Sequence, residues 1–194
     1  MIATTELRKF VIPEIITGID ARFLIDRYLS FFESVHPFIV TDEGVKKQAW
    51  FTEIIEKIQS EVSQFTIFSE VSENPKDTEV HKGLALYINN NCDVIVAIGG
   101  GSPMDCAKGI AIMATNPGNI LDYEGVDVVK NPGPPLCCIP STAGTSADVS
   151  QFAIINNTER KVKIAIISKK LIPDIALIDP VPLMTMDPYL TACT

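Results

Sequence analysis

Asp93 to Lys108, DVIVAIGGGSPMDCAK, constrains this chain more than any other stretch. Val94 to Gly99 runs without a charge, which suits a strand covered on both faces, as parallel sheets require. Gly99, Gly100 and Gly101 follow; lacking Cβ atoms, they let the chain turn sharply and a ligand approach the bare backbone. Beyond them Ser102 reads as a helix cap, Pro103 as the first helical position and Asp105 as the acid of an S-x-x-D capping pattern. The free N–H groups of such a helix start, with the positive end of its dipole, suit a phosphate or pyrophosphate. The bland alternative is a tight strand-to-helix turn without a ligand. The turn matches neither G-x-x-x-x-G-K-[ST] nor G-x-G-x-x-G, so it does not by itself name its nucleotide.

The rest of the chain places this stretch in a sheet. A strand is expected around Phe10-Val11-Ile12, before Pro13. Asp20 to Val35 carries apolar residues at helical spacing, Phe38 to Thr41 is a short apolar strand, and Val45 to Val62 is helical again. Phe65 to Phe68 reads as a strand and Thr78 to Asn91 as a helix ending in three asparagines. That β-α order predicts an α/β fold, a Rossmann-like, doubly wound, mostly parallel sheet with right-handed crossovers. Asn116 to Pro135 is a surface connection with a short helix at Ile120 to Tyr123, and Leu136 to Ile139 is another buried strand. A small antiparallel hairpin is expected from Phe152–Ile155 and Val162–Ile167, turning at Asn156-Asn157. Ile175 to Ile178 is a last short strand, and Asp187 to Thr194 has the look of a loop leading into another helix.

A net charge of −8 argues against nucleic acid and acidic membranes as partners. No apolar run approaches the ~18 residues of a membrane span. The five cysteines form no C-x-x-C pair; Cys92, Cys106, Cys137 and Cys138 sit in or beside apolar runs, a usage that fits a reducing cytoplasm. With no apolar leader in Met1 to Phe10, a cytoplasmic location is expected.

Asp42 ends the strand one β-α-β-α-β unit ahead of the glycines. Such a carboxylate can bind a ribose diol and repel a 2′-phosphate, favouring NAD over NADP, or it can simply cap the helix beginning at Val45. Ser141, Thr142, Thr145 and Ser146 follow a strand expected to neighbour the glycine strand. Ligands of open sheets bind beyond the carboxyl ends of strands, so the two loops plausibly face one crevice; an ordinary polar turn is the equal alternative. Asp105 and Lys108, one turn apart, could pair on one helix face. Lys161, Lys163, Lys169 and Lys170 read as a solvated basic stretch, and His36 and His81 as surface or capping residues. No metal site or acid–base pair assembles from these residues.

With these residues in view, the chain resembles the amino-terminal half of an iron-dependent (group III) alcohol dehydrogenase. Gly99 to Lys108 is similar to the family's GGGSxxDxAK, Pro140 to Ser146 to its P-T-T-A-G-T-[GA]-[SA] segment less its last residue, and Pro173 to Pro180 to P-x-x-A-x-x-D-P. Asp148 stands where a Glu is common. The resemblance implies one dinucleotide-binding α/β domain over 1–194, with 185–194 the start of a linker to an all-helical domain carrying Fe²⁺ or Zn²⁺. It implies that Asp42 reads the adenosine ribose, Asn74 lines the cleft, and Gly99, Gly100, Gly101 and Ser102 hold the pyrophosphate, with Asp105 beside them. Thr142 and Thr145 would meet the phosphate or nicotinamide side, and Lys163 the nicotinamide ribose. The family's metal ligands, one Asp and three His, find no counterparts among these residues.

The expected function is the NAD-binding domain of a metal-dependent alcohol dehydrogenase, moving hydride between a primary alcohol or aldehyde and NAD. The sequence also leads one to expect a chain truncated before the metal site, inactive alone and homo-oligomeric. Two alternatives stand beside it: a standalone nucleotide-binding or regulatory module acting with a partner, and a glycerol-dehydrogenase-like enzyme. The second ranks lower, because such relatives lack the P-S-T-A-G-T-S run in this form.

Overall fold

A computed structural model describes residues 11–194. Six strands form one parallel sheet: β1 (Glu14–Thr17), β2 (Phe38–Val40), β3 (Thr66–Phe68), β4 (Ile95–Gly99), β6 (Leu136–Pro140) and β9 (Ile175–Ile178), in the order β1-β9-β6-β4-β2-β3. A second sheet holds β5 (Gly125–Val126), β8 (Val162–Ile167) and β7 (Phe152–Asn157), in that order. The helices are α1 (Ile25–Phe31), α2 (Ala49–Glu61), α3 (Asp77–Asn89), α4 (Gly101–Thr115), α5 (Pro180–Met184) and α6 (Pro188–Cys193). Among the described residues, no helix is long and apolar enough to cross a membrane.

Successive strand residues point to opposite faces, and both faces of β2, β4, β6 and β9 are covered, which is why these four strands are apolar throughout, whereas the edge strand β1 is largely exposed. Ile95, Ala97, Leu136 and Cys138 join the core beneath α3 and α4, while Val96, Ile98, Cys137 and Ile139 join the one beneath α1 and α2. Cys92, Cys106, Cys137 and Cys138 are buried in these layers as small core residues.

Several elements depart from the sequence reading. The first strand lies beyond Pro13, not around Phe10-Val11-Ile12; Phe10 is outside the described residues, and Val11 and Ile12 form no strand. Pairing starts where the Glu14 N–H meets the Asp174 carbonyl at 2.9 Å, since Pro13 has no N–H to offer. The first helix is shorter than Asp20–Val35: a 3₁₀ turn over Ala21–Leu24 leads into α1, which Glu33 ends at a φ of 53°. The Asp93 carboxylate then takes the Ser34 hydroxyl and the Val35 and His36 N–H groups, holding the chain extended before β2. The hairpin turns at 158–161, not at Asn156-Asn157, which pair with Lys163 and Val162. The Asn157 side chain accepts from the Glu159 and Arg160 N–H groups, fixing the later turn. The hairpin is also not alone, because β5 pairs with β8 in parallel. Near the end of the chain, α6 lies within the stretch that reads as a loop.

Candidate nucleotide-binding site

β2, β4 and β6 are adjacent, so the loops at their carboxyl ends open onto one crevice. Asp42 follows β2, Gly100 to Ser102 follow β4, and Ser141, Thr142 and Thr145 follow β6; all line a cleft of about 590 Å³. A second hollow of about 420 Å³ adjoins it, lined by Asn74, Asp105, Ser150, Asn156 and Lys163 among others. Gly101, Ser102 and Thr145 line both, so the two form one trough with the glycine turn at its middle.

Asp42 accepts the Gly44 and Val45 N–H groups through Oδ1, each at 2.8 Å, so it caps the following turn. Capping and ligand contact are compatible here. Oδ2 faces the glycine turn, 3.5 Å from where a Cβ on Gly99 would sit. Gly99 itself adopts a φ of +146°, a conformation other residues avoid. Gly100 and Gly101 are favoured by close contact: a Cβ there would come within 3.2 Å of the Thr142 and Thr145 side chains respectively, which would have to shift slightly.

α4 begins at Gly101 with Gly100 as its cap residue, two residues before the start predicted from Ser102 and Pro103. The capping box expected from Ser102 and Asp105 does not form, because both side chains are engaged elsewhere. Ser102 Oγ accepts the Asn74 N–H at 3.3 Å, and Asp105 Oδ2 accepts the Ile154 N–H at 3.2 Å. Pro103 has no N–H and Met104 donates to the Gly100 carbonyl. That leaves the first-turn N–H groups of Gly101 and Ser102, both lining the cleft, at the positive end of a 15-residue helix. This arrangement suits an anion, and a pyrophosphate above all.

Asn74 joins the two halves of the trough. Its left-handed backbone (φ 56°) lets its carbonyl accept from Asn156 Nδ2 at 2.8 Å and its Oδ1 accept from Lys163 Nζ at 2.5 Å. The trough thus brings together the cofactor-binding candidates named from the sequence except Gly99 and Ser146, which line neither hollow. Lys163 is exposed, as a solvated basic stretch implies, and it also lines the trough. Asp105 and Lys108 do not pair: Lys108, fully buried, donates instead to Ser150 and Phe152. His36 bonds through Nε2 to Thr66 Oγ1 at the opposite end of the sheet, and His81 is half-buried on α3 with no partner for Nε2 among the described residues. Ser72, Glu73, Asn156, Ser150 and Thr185 also line the trough, and no motif flagged them.

Burial raises the Asp105 carboxyl to about 6, against the lowering influence of Lys108 and the Ile154 N–H. Burial also raises Asp148 and lowers Lys108, its charged neighbours. An unfolded Asp titrates near 3.9, so between about pH 4 and 6 the folded chain holds more protons than the unfolded one. Stability from this group therefore falls as pH rises through that window, and levels above it. Asp105→Asn, which keeps an acceptor for Ile154 and cannot ionise, is expected to gain on the parent by roughly 3–6 °C in Tm between pH 4 and pH 7. Thermal melts of the two proteins at matched pH check this.

A profile of the iron-containing alcohol dehydrogenases matches residues 13–180, most of the chain. The chain belongs to that family. Across 158 residues it is 39% identical to 1,3-propanediol dehydrogenase of Klebsiella pneumoniae, covering 80% of this chain and 41% of that enzyme. A solved 1,3-propanediol oxidoreductase superposes with a TM-score of 0.94 at 34% identity, covering 97% of this chain and 50% of that one. Sulfoacetaldehyde reductase from Bifidobacterium kashiwanohense, solved in complex with NAD⁺, gives 0.87 at 28% identity over 96% of this chain and 50% of that one. The chain thus spans about half the length of these relatives. Iron is the metal of the family's name, but the described residues contain no group of three or more His, Cys, Asp or Glu able to hold an ion. Neither His36 nor His81 lines the trough, so the side chains present do not fit a metal centre there, and no step is derived through one.

Proposed function

We propose that this chain binds NAD along the trough, as the cofactor-binding half of an alcohol dehydrogenase that moves hydride between a primary alcohol or aldehyde and the nicotinamide. One observation carries the reading: an acidic residue, an anion-suited helix start and a lysine-bearing wall stand in line along one continuous trough. Asp42 at one end suits a ribose diol, Gly101 and Ser102 in the middle suit the pyrophosphate, and Asn74 and Lys163 at the other end suit the nicotinamide ribose. The NAD⁺ complex of a family member with the same fold supports the choice of ligand. The bound nicotinamide would supply the hydride acceptor; the chain's own residues bind it, orient it and wall it from water.

Calorimetric titration tests the reading. NAD⁺ is expected to bind at least about tenfold more tightly than NADP⁺, because a 2′-phosphate would meet the Asp42 carboxylate. Asp42→Ala should bring the two affinities together, while losing the Gly44 and Val45 cap at a cost of roughly 0.5–2 kcal/mol in stability. Equal affinities in the parent protein would remove Asp42 from this role.

A further inference from the structure

β7 is the edge strand of the small sheet, and its outward main-chain groups need partners. Two charged side chains of α4 supply them. Asp105 takes the Ile154 N–H, and one turn later Lys108 Nζ donates to the Phe152 carbonyl at 2.9 Å. The same ammonium donates to the Ser150 carbonyl at 2.8 Å and to Ser150 Oγ at 3.1 Å. Farther along, the Asn156 N–H meets the Pro75 carbonyl at 2.8 Å. The hairpin carrying Asn156 and Lys163 is therefore fastened to the helix whose first turn forms the middle of the trough.

A fully buried lysine is costly unless its charge is satisfied. All three Lys108 bonds go to Ser150 and Phe152, the second of which opens β7, so its ammonium fixes where that strand begins. We infer that Lys108 is a positioning residue for the nicotinamide half of the cofactor: it holds the β7–β8 wall at the distance from α4 that lets Lys163 and Asn74 meet the second ribose. The inference rests on the NAD reading and adds to it a residue that touches no ligand. Lys108 sets one end of the trough and leaves the other alone. The Asp42 end and the Gly101–Ser102 turn are built on β2, β4 and the start of α4, and among the described residues no hydrogen bond joins them to Ser150 or Phe152.

Two ligands separate these ends. ADP reaches the ribose-binding and pyrophosphate sites only, whereas NAD⁺ also needs the hairpin wall. In Lys108→Met, calorimetry should show ADP affinity within about twofold of the parent and NAD⁺ weakened about tenfold or more, as misplacing a contact wall by an ångström permits. Ser150→Ala, which removes one of three acceptors, should raise the ratio of NAD⁺ to ADP dissociation constants by about two- to threefold. If Lys108→Met does not fold, the Ser150→Ala ratio decides. An unchanged ratio in a folded variant, or equal loss of both ligands, overturns the positioning role while leaving the NAD reading intact. A parent protein that binds neither ligand overturns both.

Discussion

Exchanging Asp179 for alanine is expected to cost the fold about 3–5 kcal/mol, the range for stripping one partner from a buried ion pair. Asp179 is fully buried at the end of β9, and Arg22 is only 5% exposed. Oδ2 accepts from Arg22 Nη1 at 2.7 Å and more weakly from the Arg22 N–H at 3.4 Å. Oδ1 accepts the Val181 N–H at 2.9 Å and so opens α5, which carries Pro182 to the trough wall and is followed there by Thr185. Without the carboxylate, the guanidinium keeps the exposed Asp20 and Glu53 and the Phe23 ring, and among the described residues its Nε already lacks an acceptor. Urea unfolding followed by Trp50 fluorescence measures the loss, Trp50 being the single tryptophan and bonded to Thr185. Asp179→Asn separates charge from capping, since it keeps an oxygen for Val181 but no negative partner for Arg22. Most of the loss is expected there too; a cost under about 1 kcal/mol would show that the cap, not the charge, holds this corner.

The sheet was legible because its signals are local. An uncharged run bounded by turn residues marks a buried parallel strand wherever it occurs, and β2, β4, β6 and β9 all announce themselves that way. Asn91 ends α3 as its sequence suggests, in the left-handed conformation (φ 51°) with the Cys92 N–H reaching back to the Tyr87 carbonyl. Asp42 and the glycine turn converge because β4 pairs with β2 in parallel, although β3 lies between them in the chain.

What the sequence hid were partners far along the chain. Ser102-Pro103-Met104-Asp105 has the spacing of a capping box, yet Asn74 and Ile154, 28 and 49 residues away in sequence, claim the two side chains. Lys108 has an acid one turn back, and the local pairing rule points there; its true partners lie 42 and 44 residues ahead, Ser150 just before the edge strand β7 and Phe152 at its start. Asn156-Asn157 has turn composition, but Asn156 is held extended by the Asn74–Pro75 segment, while Asp77 draws Thr158 into the turn beyond. In each case a partner distant in sequence overrides the local rule.

Gly101→Val is expected to weaken NAD⁺ and ADP alike by at least about a hundredfold, the equivalent of one or two charge-assisted hydrogen bonds. The position tolerates little: a Cβ would sit 3.2 Å from both Cγ2 and Oγ1 of Thr145, and valine adds two methyl groups to it. Those methyls would stand at the point common to both halves of the trough, over the N–H groups suited to the pyrophosphate. Gly101 has an ordinary backbone conformation, unlike Gly99, so the substitution blocks approach without demanding a forbidden φ. Calorimetry reports the binding loss and a thermal melt reports the fold; a Tm within several degrees of the parent is expected, since the first helical turn tolerates a β-branched residue at a few tenths of a kcal/mol. The pattern also distinguishes this site from the hairpin wall. Damage at Gly101 must fall on ADP as heavily as on NAD⁺, whereas damage at Lys108 must spare ADP. Retention of ADP binding by folded Gly101→Val would place the pyrophosphate somewhere other than the start of α4.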